Sequence, residues 1–289
     1  MEMRQLDHSH VLNLLPDRDA WGHKGDFGKI LLLCGSWGFT GAAYFAAMGA
    51  LRCGAGLVYL GVPESIYAIE AGKLNEPVVF PLPEKDGKLS QAALEDVLPR
   101  LMQMDAVVLG CGLGRSEETT AVIQAVLQQA TCPVVLDADG INGLAGHMDV
   151  VRRRAWPTIL TPHDGEFLRM GGQLGPDRMA SAAETARDLG CIVLLKGHRT
   201  CITDGIRGYR NLTGNPGMAV GGSGDVLAGM ILSLIGQGLR PADAARVGAW
   251  LHGRCGDVCA NRLSEYGMTP TDMLGVLPEV LHEYNTREW

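Results

Sequence analysis

The sequence predicts an α/β protein built on a mainly parallel sheet with helices on both faces, and three observations point there. Short apolar runs with little polar alternation mark strands that are covered on both sides. Helical stretches separate these runs, and repeated strand, helix, strand order gives a parallel sheet. Several runs end in glycine-rich or acidic residues, and in open parallel sheets ligands gather beyond the carboxyl ends of the strands.

Taken in chain order, residues 30–33 (ILLL) read as a strand and 41–52 (GAAYFAAMGALR) as a small-residue helix. Strands follow at 56–61 and 78–80, then a helix at 90–102, a strand at 106–109 (AVVL) and a helix at 117–129. Two further strands, 134–136 and 158–160, precede a helix at 179–189 and the apolar run 192–195 (IVLL). After Lys196 the pattern changes to TCITDGIRGYRN, two short runs around Asp204 and Gly205 that read as a hairpin. Long helices close the chain at 225–237, 241–261 and about 269–284. No linker, low-complexity tract or repeat interrupts the order, so residues 1–289 are expected to form one domain.

A length of 289 residues suffices for a substantial core. The net charge of −7 argues against broad binding to nucleic acid or anionic membranes, so any phosphate site must be local. No apolar segment reaches the length of a membrane span, and MEMRQLDHSHVLNLL lacks the basic start and apolar core of a signal peptide. A soluble, cytoplasmic protein is expected. The eight cysteines lie mostly in apolar patterns and read as buried free thiols. His252, Cys255 and Cys259 share a helix face at metal-like spacing, but no fourth ligand is near in sequence.

The densest chemistry lies in GNPGMAVGGSGDVLAG, residues 214–229. Five glycines between Gly214 and Gly224 let backbone amides turn inward as an anion cradle, and the free amides of the apolar helix that follows add to it. Phosphate is the expected guest. Asp225 would repel phosphate unless it faces the attacking group as a general base; a helix cap is the competing explanation. Other strand ends contribute CGSWGFTGAAY, where Gly35, Gly38 and Gly41 could admit a ligand close to Ala42 or simply form a loop, and GCGLGR, where Gly112 and Gly114 permit close backbone approach. DADG and TPHDGEF supply Asp137, Asp139 and Glu166, candidates for holding magnesium or ordering water, with helix capping competing for Asp139 and Asp164. His163 lies on a loop and is a candidate substrate contact. Lys196, directly after a buried run, is a candidate phosphate partner or a solvated lysine.

The succession HKGDFGKILLLCGS, TGAAYFAAMGALRCGAGLV, GCGLGR, DADGINGLA, LTPHDGEF, LLKGHRT and GNPGMAVGGSGDVLAGMI resembles the ADP-dependent NAD(P)H-hydrate dehydratases, a ribokinase-like family, over about residues 23–277. Two departures stand out. Cys111 replaces the proline of the family's usual GPGLGR, and Asp164 replaces the second proline of TPHPGE. The resemblance implies a three-layer α/β/α sandwich and a repair reaction, in which the S epimer of hydrated NADH or NADPH loses water at the expense of ADP or ATP, giving AMP and phosphate when ADP is used. It implies Asp225 as the base and Gly222, Ser223 and Gly224 as an anion hole. Lys196, Gly197, His198, Arg199 and Thr200, with Gly224, are implied to hold the nucleotide. Ala42, Gly112, Gly114 and His163, with Asp225, would contact the hydrated cofactor, and Glu166 would organise magnesium through water. Many relatives carry an additional amino-terminal epimerase domain; only about twenty residues precede the resemblance here, so epimerase activity is not expected in this chain. Relatives form homo-oligomers, often tetramers, and the small-residue helix from Gly41 is one possible contact surface. A sugar or vitamin kinase of the same fold, or a nucleotide sensor without catalysis, remain as alternatives.

Overall fold

The computed structural model describes residues 2–284. The first part of the chain runs β1 (Glu2–Gln5), α1 (His8–Leu12), β2 (Lys29–Leu33), α2 (Thr40–Arg52), β3 (Leu57–Pro63), α3 (Glu64–Lys73), β4 (Val78–Leu82), β5 (Glu84–Lys85), β6 (Lys88–Leu89) and α4 (Leu94–Leu101). The middle adds β7 (Ala106–Leu109), α5 (Glu117–Gln129), β8 (Val134–Leu136), α6 (Asp139–Asn142), α7 (Asp149–Arg152), β9 (Thr158–Leu160), α8 (Asp164–Arg169) and α9 (Arg178–Leu189). The rest comprises β10 (Ile192–Leu195), β11 (Cys201–Thr203), β12 (Arg207–Arg210), α10 (Ser223–Gly236), α11 (Pro241–Gly267) and α12 (Pro270–His282).

Ten strands form one sheet in the order β1-β12-β11-β10-β9-β8-β7-β2-β3-β4. Every pairing is parallel except the β10-β11-β12 meander, whose hairpin turns at Asp204 and Gly205 as its sequence predicts. Side chains of a strand point alternately to the two faces, and β2 shows what this does. Ile30 and Leu32 join one buried layer with residues of α2, α10, α11 and α12, while Leu31 and Leu33 join the other with residues of α4, α5, α7 and α9. The three-layer arrangement follows from strands that have no polar face to expose.

Two edge features are invisible to an apolar-run reading. β1 pairs in parallel with β12, yet its residues 3–5 are exposed, so its sequence carries no strand pattern. Helix α3 buries only Ile66 and Glu70 and therefore lacks an apolar stripe. The helix expected over 90–102 opens as a 3₁₀ turn, Gln91–Ala93, before α4 begins.

Helix α10 is apolar on all sides and is accordingly buried from Val226 to Ile235. It lies against α2, whose alanines and Gly49 form the contact. A Cβ at Gly229 would fall 2.0 Å from the Ala46 carbonyl oxygen, and one at Gly49 would fall 2.6 Å from that of Val226. The small face of α2 is thus used inside the fold, and the expectation that it offers a subunit contact is corrected for those residues. Gly229→Ala should therefore lower stability by roughly 1–3 kcal/mol, the usual cost of overpacking, read as a reduced midpoint in thermal or urea denaturation.

Candidate active site

The chain runs β2, β3, β4 towards one edge of the sheet and then returns to β7, β8, β9 and β10 on the other side, so the direction reverses between β2 and β7. A crevice opens at such a reversal, beyond the strand carboxyl ends. Its two walls are tied together: the Gly35 amide donates to the Cys111 carbonyl (2.8 Å) and the Ser36 hydroxyl to the Gly112 carbonyl (2.8 Å). Gly110 has φ 127°, and a Cβ there would lie 1.9 Å from the Asp137 carbonyl oxygen, so only glycine fits. The missing Cβ of Gly112 faces Ala42, and the Gly114 amide donates to Asp139 Oδ2 (2.9 Å). Ala42, Gly112 and Gly114 therefore share a neighbourhood, and Asp139 braces the β7 loop; the residue preceding α6 is Ala138, at φ 45°.

Four strand ends and α10 meet around a charged centre. Asp137, 2% exposed, follows β8; its Oδ1 accepts from Lys196 Nζ (2.7 Å) and the Thr161 hydroxyl (2.6 Å). Lys196 Nζ also lies 3.7 Å from Glu166 Oε2. Burial works against the ammonium, but Asp137 and Glu166 outweigh it and hold Lys196 above the ordinary lysine range. Lys196 is thus a largely shielded ion-pair partner, not the solvated lysine that its sequence position left open. A Cβ on Gly224 would stand 3.3 Å from that ammonium, so the first turn of α10 rests directly on the pair.

Helix α10 begins with Gly222 at φ 98° and receives no side-chain cap, so its first-turn amides have no side-chain acceptor. Asp225 is the third residue of this helix and makes no capping bond, which removes the capping explanation. Burial pushes its carboxyl up to about 7, with the Asp137 charge adding to the rise and the Cys111 thiol and Lys196 opposing it. An Asp held near neutrality replaces the fully ionised carboxylate expected from an unperturbed side chain. Ser223 is anchored from behind by His252, whose Nε2 lies 2.8 Å from the Ser223 carbonyl oxygen and 3.3 Å from its hydroxyl. Burial presses His252 down to about 4, so the neutral ring donates Nε2–H to that carbonyl. His252 is spent on the helix terminus, while the potential ligand atoms that do converge, within 4.8 Å of one another, belong to Cys111, Asp137 and Asp225.

His163 sits at the cap of α8. Its Nδ1 accepts from the Gly165 amide (3.0 Å) and its own amide donates to Glu166 Oε2 (2.9 Å), leaving a half-exposed ring. Gly197, His198 and Arg199 are exposed on the turn after β10, with Gly197 at φ 149° and Arg199 at φ 57°. The Thr200 hydroxyl closes this turn on the Gly197 carbonyl (3.0 Å). Sequence reasoning missed Arg178, which donates to the Lys196 carbonyl (2.8 Å) and pairs with Asp164. Asp164 was its signal, since an exposed acid at a helix start can draw a cation.

Fold and site together define a ribokinase-like α/β protein, with its candidate site at the sheet's reversal point. The chain belongs to the NAD(P)H-hydrate dehydratase family, whose profile matches residues 30–279. It is 44% identical over 285 residues to the bifunctional NAD(P)H-hydrate repair enzyme of Moorella thermoacetica, covering 96% of this chain and 54% of that protein. The chain thus spans about half the length of several curated relatives that it matches. It is 36% identical to the ADP-dependent (S)-NAD(P)H-hydrate dehydratase of Bacillus subtilis, over 94% of this chain and 95% of that one. A crystal structure of the ADP/ATP-dependent NAD(P)H-hydrate dehydratase from Bacillus subtilis, co-crystallised with ATP and Mg2+, matches with a TM-score of 0.83 and 32% identity, covering 99% and 100% of the two chains.

The state of Asp225 has a thermodynamic consequence. Its pKa is about 7 folded against an ordinary 3.8, so between these values the folded chain keeps a proton that the unfolded chain has lost. Its contribution to stability is therefore lost as pH rises from about 4 to about 7 and changes little beyond. Asp225→Asn, which stays neutral, should gain in melting temperature relative to the parent across that interval and hold a constant advantage above it; a difference independent of pH would refute the assignment.

Proposed function

We propose that this chain catalyses the ADP-dependent dehydration of the S epimer of hydrated NADH or NADPH, restoring the reduced cofactor and releasing AMP and phosphate. The observation that carries the reading is Asp225, a shielded carboxyl held near neutrality on an uncapped, glycine-started helix terminus at the sheet's reversal point. A base whose pKa lies near the working pH combines a useful ionised fraction with real proton affinity. In the proposed reaction Asp225 accepts the proton of the ring hydroxyl as its oxygen attacks the terminal phosphorus of the nucleotide. The hydroxyl becomes a phosphate ester, and departure of phosphate together with a proton from the neighbouring ring carbon then re-forms the ring double bond.

The amides of Gly222, Ser223 and Gly224 are assigned to the charge that develops on the transferred group, where fixed donors act without reorganisation. The exposed turn carrying Gly197, His198, Arg199 and Thr200 is assigned to the adenine nucleotide. Lys196, rather than reaching out as a free phosphate hand, offsets Asp137 and Glu166 so that two buried acids can stand beside an anion site. Ala42, Gly112, Gly114 and His163 are assigned to the hydrated cofactor.

Magnesium requires hard oxygen donors and keeps much of its water. The acids here are already engaged, Asp137 by Lys196 and Thr161, Glu166 by the His163 amide and Lys196. These residues fit an ion carried by the nucleotide phosphates and water, with Glu166 ordering that water. When bound, it would neutralise phosphate charge. Assembly into a homo-oligomer such as a tetramer belongs to the same reading. No described helix is long and apolar enough to cross a membrane.

The deciding assay adds the protein with magnesium and ADP to mixed epimers of hydrated NADH and follows absorbance in the reduced-nicotinamide band. Recovery that needs ADP and releases phosphate is the expected outcome. A stable phosphoester of another substrate would indicate a kinase instead. Asp225→Asn should cut turnover roughly a hundredfold to ten-thousandfold while nucleotide binding persists. Below pH 7 the parent's rate should fall with Asp225 protonation, since the base must be ionised to accept a proton.

A further inference from the structure

Cys111 lies in the glycine turn that follows β7, and its thiol is fully buried at the floor of the crevice. Its Sγ lies 3.8 Å from Asp137 Oδ2, and Sγ and one oxygen each of Asp137 and Asp225 fall within 4.8 Å of one another. Asp137 already takes the Lys196 ammonium and the Thr161 hydroxyl on its other oxygen. The Cys111 thiol and the Lys196 charge are the influences that hold the Asp225 carboxyl down against its burial and the charge of Asp137. We propose that Cys111 is a positioning residue for Asp225, its S–H turning from Asp137 to Asp225 as that carboxyl ionises.

Three features suit the thiol to this task. The Cys34 thiol beside it, burial and the charges of Asp225 and Asp137 hold Cys111 well above the ordinary thiol range, so it stays protonated and can always donate. A thiol is also a weak donor, so it orients the ionised carboxylate without removing the basicity that a proton acceptor needs. Its position is rigid, because Gly110 is held against Asp137 and the Cys111 carbonyl is held by the Gly35 amide. The charged and titratable groups facing Asp225 are Asp137 after β8, Asp139 at the start of α6, Lys196 after β10 and Cys111 after β7. Cys34 stands behind Cys111, Glu166 lies beyond Lys196, and neutral His252 holds Ser223 from α11.

The role assigned to Cys111 rests on Asp225 being the base, and the test separates the two ideas. The Asp225 carboxyl is titrated by 13C NMR in the parent, Cys111→Ala and Cys111→Ser, with its resonance assigned by its loss in Asp225→Asn. The pH dependence of kcat and the thermal midpoint of each variant are measured alongside. Removing the donor in Cys111→Ala should raise the Asp225 midpoint by about half to one unit, and the acid limb of kcat should weaken by about three- to tenfold. Cys111→Ser, a stronger donor, should lower the midpoint below the parent's. Variants that fold and change KM or thermal midpoint while the Asp225 titration stays fixed would reduce Cys111 to packing and overturn the proposal. If the titration moves as stated but no variant and no parent dehydrates the cofactor, the positioning role stands and the proposed function fails alone.

Discussion

The geometry of the site depends on one steric constraint, the backbone contact between α2 and α10. At Gly229 and Gly49 the two helices approach so closely that a single methyl group would strike a carbonyl oxygen. That contact sets how far α10 slides along the sheet, and hence where its first turn ends. Because the start of α10 bears Gly222, Ser223, Gly224 and Asp225, a constraint in the apolar layer determines the position of all four. His252 makes the same coupling from the other side, joining α11 to the Ser223 carbonyl. Packing and chemistry meet at the start of α10, and neither can be altered without the other.

Charge is the second constraint. Asp137, Glu166 and Asp225 gather near the first turn of α10, an arrangement that is unfavourable unless something offsets it. Lys196 offsets the first two through one partly shielded ammonium, and the third is left partly protonated by burial. This division gives the site a carboxyl with proton affinity and a fixed cation close to it. Each half of the arrangement needs the other, since the ammonium would be costly to bury without Asp137, and Asp225 would be pushed higher without the ammonium.

The central strands and long helices were legible because each is amphipathic or wholly apolar in a way that local physics makes visible. The runs at 106–109, 134–136, 158–160 and 192–195 match β7, β8, β9 and β10. The glycine clusters were legible too, since they break the pattern at strand ends and before α10. What escaped were elements stabilised by neighbours: β1, held by pairing with β12, and α3, which has little apolar face. Arg178 escaped for the same reason, because its partners Asp164 and Lys196 lie on other elements.

By itself the sequence determined the fold class, the family, and which residues are chemically capable: a glycine-started helix, an Asp within it, acids and a lysine at strand ends. These follow from composition and order along the chain, which local forces read directly. Only the tertiary structure decided how those groups divide the work. Lys196 pairs with acids, His163 caps a helix, Asp225 stands near neutrality, and Cys111 comes to lie beside two carboxyl groups. Each of these depends on distance and on exclusion of water, and both arise only when strands far apart in sequence bring their ends together.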